Sequence, residues 1–203
     1  MLLLVIYFIV TLFYFGVKEV FQVEYVILGL LMIKGLTLYE INKSFKQGIC
    51  LFYSASYGSL QFSVKKLLSR GFVSVEAKLE NGRNKRIYSI TDTGRIFFHD
   101  WMLSREIPSN KLETIALTKL YFLGLIRSKE NKKEILSYII DKINETQTEL
   151  VAMNKALCQH TIPKSYEDIF HFQLKSLDYG INAHQFSRQW FEEVLESLDK
   201  LTE

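Results

Sequence analysis

Cysteine is scarce in this chain: Cys50 and Cys158 stand alone, more than a hundred positions apart. That excludes a disulfide framework and a cysteine-based zinc spacing, and it fits a reducing cytoplasm. Histidine is nearly as sparse, and His99, His160, His171 and His184 form no pair at metal-ligand spacing, so no metal site is expected. A glycine-rich phosphate cradle is missing, as is any nucleophile–base–acid arrangement. No enzyme and no cofactor are therefore expected, and Cys50 reads as a packed thiol.

What is there suits a globular protein. The 203 residues make room for one ordinary domain, or a small one with an accessory helical unit. Hydrophobic residues at 48% and charged residues at 23% support a packed core rather than disorder. Residues 18–103 carry 12 cations against 7 anions, an excess of five, whereas residues 104–203 carry 13 against 15, a deficit of two. If either half meets a polyanion, it is the first.

The opening "MLLLVIYFIVTLFYFGV" has no charge before Lys18. Seventeen residues as a helix would span roughly 25 Å, short of a hydrocarbon core of about 30 Å. A signal peptide is not indicated, because cations do not precede the apolar run and no small-residue cleavage site follows it. Two readings stand: a gene-model extension, with the working protein starting at Val17, or a membrane anchor with everything after Lys18 in the cytoplasm. On the first, the protein is cytoplasmic and the membrane is no partner.

From Glu24 the pattern turns regular. "EYVILGLLMI" predicts a short apolar helix ended by "KG". "TLYEINKSFKQG" predicts a second, with Thr37 and Glu40 at capping-box spacing, Leu38, Ile41 and Phe45 on one face, and Gly48 at its end. A third runs from a cap at Ser56 to about Ser69, with Leu60, Val64, Leu67 and Leu68 toward a core. Tyr57, Ser59, Gln61, Lys65 and Lys66 then turn outward, and Phe52 and Phe62 are expected to be core aromatics. "FVSVEAKL" and "RIYSIT" read as strands joined by "ENGRNK", with Asn81-Gly82 as the hairpin signal. Thr91-Asp92 opens a further helix, "TDTGRIFFHDWML".

Three helices followed by a hairpin with a basic tip is the layout of a winged helix-turn-helix. The third helix opens with hydroxyls, an amide and an aromatic and holds no acid, which suits base edges. Its later cations suit phosphates, as do Arg83, Lys85 and Arg86 on the wing. The predicted fold class is therefore mainly α with a small β-hairpin wing. A winged helix-turn-helix domain (18–103) follows the leader (1–17) and precedes an all-helical region (104–203). A winged fold used only to bind protein is the alternative.

The stretch "ILGLLMIKGLTLYEINKSFKQG…FYSASYGSLQFSVKKLLSRGFVSVEAKLENGRNKRIYSITDTGRIFFHDWM" resembles the PadR family of bacterial transcriptional regulators across residues 24–102. "ILGLL", "YEI", "SYGSL", "KKLLSRGFV" and "GRNKRIYSITDTGR" carry the resemblance together. It implies a dimeric cytoplasmic repressor that binds double-stranded operator DNA and answers to a small aromatic or phenolic effector. It places Ser56, Tyr57, Gly58, Ser59, Gln61 and Lys65 in the major groove, and Gly82, Arg83, Asn84 and Lys85 of the wing on the backbone or minor groove. The chain departs from the family in its apolar leader, and in "IKG" where Gly-Pro commonly precedes the second helix.

In the second half, Leu136, Ile139, Ile143, Thr146, Leu150, Met153 and Leu157 follow at alternating spacings of 3 and 4, a coiled-coil seam. It is read as the dimerisation surface of a homodimer, as the resemblance also implies, with packing inside one chain as the plainer reading. A long last helix is expected from about Tyr166 to Leu201. Trp101, Tyr121, Phe122 and Tyr138 either line an effector pocket or fill the core.

Overall fold

The computed structural model describes residues 20–80 and 83–200. The apolar leader and the Asn81-Gly82 tip lie outside the described residues. Contacts divide the chain into two compact units, the first ending at Ile126 and the second starting at Arg127. Segment 104–126, which the sequence grouped with the second half, thus belongs with the first.

Helix α1 (Val20–Ile33) is apolar on nearly every side and sits in the core of the first unit: Val26, Ile27 and Leu28 have no exposed surface. Helix α2 (Leu38–Gln47) starts with the expected capping box. The Thr37 backbone N–H donates to Glu40 Oε2 at 2.8 Å, and the Glu40 N–H donates back to Thr37 Oγ1 at 3.3 Å. Its apolar side buries Ile41 and Phe45. A 3-10 turn, Ile49–Leu51, leads toward α3 (Tyr57–Ser69), whose Leu60, Val64 and Leu67 are buried while Leu68 is only half-buried. Full burial of such side chains is worth about 1.5–3 kcal/mol each, enough to fix which side of α3 faces inward.

Gly71 has φ +71°, a conformation L side chains rarely adopt, and it turns the chain from α3 into the sheet. Strands β1 (Val73–Glu80) and β2 (Arg83–Ile90) pair antiparallel from Val73↔Ile90 to Glu80↔Arg83. The linker between α1 and α2 adds a bridge to this hairpin, with the Leu36 N–H donating to the Tyr88 carbonyl at 3.0 Å and the reverse bond at 2.8 Å. The sequence showed only a breaker there.

Helix α4 (Asp92–Leu103) is capped by Thr91, whose hydroxyl accepts from the Gly94 N–H at 3.1 Å and donates to the Gly71 carbonyl at 2.7 Å. A Cβ at Gly94 would lie 2.1 Å from the Phe72 carbonyl oxygen, so only glycine lets α4 pass this close to the wing. Helix α5 (Leu112–Tyr121) completes the unit, and the buried Phe122 behind it packs edge-to-face on Phe98 at 5.9 Å.

The second unit is an antiparallel pair, α6 (Lys129–Leu157) and α7 (Glu167–Lys200). The Ser128 hydroxyl caps α6 by accepting from the Asn131 N–H at 3.1 Å. Asp199 receives Lys129 at 2.9 Å and Lys133 at 2.7 Å, and Gln147 Nε2 donates to the Ile181 carbonyl at 3.5 Å. The expected seam on α6 is largely spent within the chain. Leu136, Ile139, Ile143 and Thr146 are buried, and Leu150 lies 3.5 Å from where a Cβ on Gly180 would stand. Leu150, Met153 and Leu157 stay half-buried. The plainer reading, packing inside one chain, describes the first part of the seam.

Candidate nucleic-acid interface

The outward side of α3 is assembled by the burial of its other side. With Leu60, Val64 and Leu67 inward, the 3.6-residue period turns Tyr57, Gly58, Gln61, Phe62, Lys65 and Ser69 to solvent. Ser56 and Ser59 act on the backbone: the Ser56 hydroxyl accepts from the Ser59 N–H at 3.1 Å. Ser56 is exposed and Ser59 half-buried. No acid occurs anywhere along α3.

Two expectations change on this helix, at Phe62 and at Lys66. Phe62, expected in the core, is 61% exposed, more than Tyr57 at 52%. Its position is one turn after Gly58, off the Leu60–Val64–Leu67 stripe, and no neighbour covers it. Phe52 is half-buried, with its ring 5.7 Å from Tyr121.

Lys66, counted among the outward cations, instead turns to the core. Its Nζ lies 2.6 Å from Oε1 of Glu24, a carboxylate with no exposed surface on α1. Arg70 reaches the other oxygen at 3.4 Å. The phenol of Tyr25, next along α1, is held above its ordinary pKa by burial and, secondarily, by this carboxylate. Glu24, which holds the C-terminal half of α3 against α1, is the residue that the sequence reading passed over. Its signal was visible as the one charge inside "VFQVEYVILGLLMI", since a buried charge must be paired.

Arg70 is held a second way. Its guanidinium lies 4.6 Å from the Phe72 ring centroid and 4.9 Å from that of Phe97. Those rings continue a stack: Phe72 on Phe97 at 4.4 Å, Phe97 near Tyr25 at 5.4 Å, and Tyr25 on Trp101 at 4.4 Å. The end of α3 is thereby tied to α1 and α4 together.

On the wing, Asn84, Lys85 and Arg86 are exposed. Gly82 lies outside the described residues, and Arg83 is placed here only as the first residue of β2. The Thr37 hydrogen bonds hold the Glu40 carboxyl below its ordinary pKa, and the charges of Lys34 and, least, Lys85 add to this.

The four aromatics of the candidate effector pocket are differently placed. Trp101 and Phe122 are buried against Tyr25 and Phe98, Tyr121 is 48% exposed, and Tyr138 belongs to the second unit. Beside Trp101, Lys119 is buried, donates from Nζ to the Ser104 carbonyl at 2.6 Å, and has its pKa lowered from 10.5 to about 8 by burial. Two open depressions are formed elsewhere. One of about 280 Å³ is lined by Cys50–Ser54, Glu113 and Thr114, where Cys50, expected as a packed thiol, is exposed, and one of about 610 Å³ by the polar residues Asp141, Asn144, Glu145, Thr148 and Glu149. Among the described residues, no group of histidine, cysteine and acidic side chains could hold a metal, and no helix is long and apolar enough to cross a membrane.

No protein-family model matches the chain. Among curated proteins it is 24% identical over 180 residues to the negative transcriptional regulator PadR of Bacillus subtilis (strain 168), covering 87% of this chain and 97% of that one. Among solved structures, Bacillus subtilis PadR in complex with operator DNA is 23% identical, covers 86% of this chain and 98% of its own, and has a TM-score of 0.42. The same protein in complex with p-coumaric acid is 23% identical over 91% and 99%, with a TM-score of 0.41. The PadR-like transcriptional regulator BC1756 from Bacillus cereus is 25% identical over 90% and 99%, with a TM-score of 0.42. The resemblance carried by residues 24–102 thus extends, in the curated relative, over most of the chain.

Proposed function

We propose that this PadR-like chain is a sequence-specific DNA-binding transcriptional regulator, a homodimeric repressor relieved by a small molecule. It is a regulator and not an enzyme. The observation that supports the reading best is the outward side of α3, uncharged and hydrogen-bonding at Tyr57 and Gln61, cationic at Lys65, and free of acids. Tyr57, Ser59 and Gln61 discriminate bases, while Lys65, Lys85 and Arg86, with Arg83, meet phosphates. Ser56 and Gly58 shape the helix entrance, and Asn84 belongs to the wing. Lys66 is left out of the phosphate set because its charge is matched by Glu24.

Dimerisation brings a second α3 to the other half-site, about 34–36 Å away along the duplex. The surface that suits it is on α7. Ile169, Phe172, Tyr179, Phe186 and Trp190 are exposed at 38–77% and fall, with Ser176 and Ala183 between them, at alternating spacings of 3 and 4. Leu150, Met153 and Leu157 of α6 add what remains of the first seam. Repression and a small aromatic or phenolic effector belong to the reading through the resemblance to the PadR family and the negative regulator it matches. Trp101, Tyr121 and Phe122 of the first unit remain its candidate effector residues, reached only by rearrangement where they are buried.

The direct test is electrophoretic retention of the duplex upstream of the protein's own gene. At low salt, where counterion release most favours binding, the full chain should retain it. Failure to retain any duplex would leave a winged protein-binding module as the surviving reading.

A further inference from the structure

We infer that Phe62 reads sequence by packing on the 5-methyl group of thymine, so that operator preference in this chain depends on thymine at the base step facing that ring. The inference rests on the DNA-binding reading above. It starts from an exposed apolar side chain: Phe62 is 61% open in the middle of a helix face whose other members are Tyr57, Gly58, Gln61, Lys65 and Ser69. Nothing in the core needs it there, since Leu60, Val64 and Leu67 fill the opposite side.

The surroundings select the occupant. Helical side chains lean toward the N-terminus, so the Phe62 ring projects over the turn that holds Gly58. Gly58 leaves that space open: a Cβ there would have only the Ser56 hydroxyl within 4 Å, at 3.9 Å. The ring therefore belongs to the helix entrance, the end that meets base edges, and not to the end where Arg70 is tied back to Glu24. With no acid on α3 and Lys65 on the same face, a polyanion approaches unopposed. Phenylalanine has no donor or acceptor and is blind to the hydrogen-bonding pattern of the major groove. The one apolar feature in that groove is the thymine methyl. Gln61, next along the helix, carries the amide that suits adenine, so the pair would read adjacent A·T steps.

The test uses the full chain and a duplex recovered by selecting it on a random DNA library. Thymines of that duplex are replaced one at a time by deoxyuridine, which removes only the methyl group. The wild type should lose roughly fourfold in affinity at one replacement per half-site, the worth of one methyl removed from water. Phe62→Ala should bind the parent duplex more weakly, ignore that same replacement, and melt at the wild-type temperature. Should the wild type select a duplex yet ignore every replacement, or Phe62→Ala remain sensitive to the same one, the inference falls and the DNA reading stands. A change of oligomeric state in Phe62→Ala would overturn it too, by assigning the ring to a protein contact. If selection recovers no duplex, the reading beneath it falls instead.

Discussion

Lys66 Nζ lies 2.6 Å from a carboxylate oxygen of Glu24, which has no exposed surface, while the neighbouring Lys65 points to solvent. Adjacent lysines on one helix therefore have opposite duties. Glu24 reaches from α1 and, through Lys66 and Arg70, fixes the rotation of α3 about its axis. The outward face of α3 is presented by an ion pair as well as by apolar packing. Removing Lys66 leaves this buried carboxylate with Arg70 alone, at the longer distance of 3.4 Å. Lys66→Ala should therefore destabilise the fold by about 2–4 kcal/mol in denaturant titrations, and Lys65→Ala by less than about 0.5 kcal/mol. Equal effects on stability would contradict this division.

DNA affinity should show the reverse order. Lys65→Ala, and Lys85→Ala combined with Arg86→Ala, should weaken binding to every duplex alike. Each lost phosphate contact should flatten the slope of log K against log salt by about 0.9. Fluorescence anisotropy over a salt series reads this directly. A loss confined to one sequence would mean that these cations touch bases.

The α7 stripe predicts the assembly. Tyr179→Glu together with Phe186→Glu places charges at side chains 77% and 69% exposed in the single chain, so the fold should survive. Sedimentation should then show a dimer for the wild type and a monomer for the doubly substituted chain. A dimer that persists would move the interface elsewhere.

Lys119 predicts a pH signature. Its folded pKa of about 8 lies below the 10.5 of an exposed lysine, so between these values the unfolded chain binds more protons and stability rises with pH. Below about pH 8 the cost of burying its charge is fully present. The stability of the wild type minus that of Lys119→Met should climb by up to about 3 kcal/mol across this window. A flat difference would show that Lys119 titrates as if exposed.

Much of this molecule was legible because its signals are local. The Thr37–Glu40 capping box, the Ser56 and Thr91 caps and the Leu60–Val64–Leu67 stripe each depend on residues three or four apart, and each forms as spaced. What escaped depends on distant partners. Lys66 looks like any surface cation until Glu24, forty-two residues earlier, is seen facing it. The Leu36–Tyr88 bridge joins segments that share no pattern. The seam from Leu136 to Leu157 announces a helical partner but cannot say whose, and α7 of the same chain meets Leu150. Phe62 misled because aromatic type favours burial, whereas helical phase places it outside.

The claim at the centre is that the outward side of α3 distinguishes one DNA sequence from another. Its most direct measurement is the ratio of affinities for a selected duplex and a scrambled one, compared between wild type and Gln61→Ala at one salt concentration. The account predicts that the substitution lowers this ratio by roughly 1–3 kcal/mol, with binding to the scrambled duplex unchanged. An unaltered ratio would contradict it.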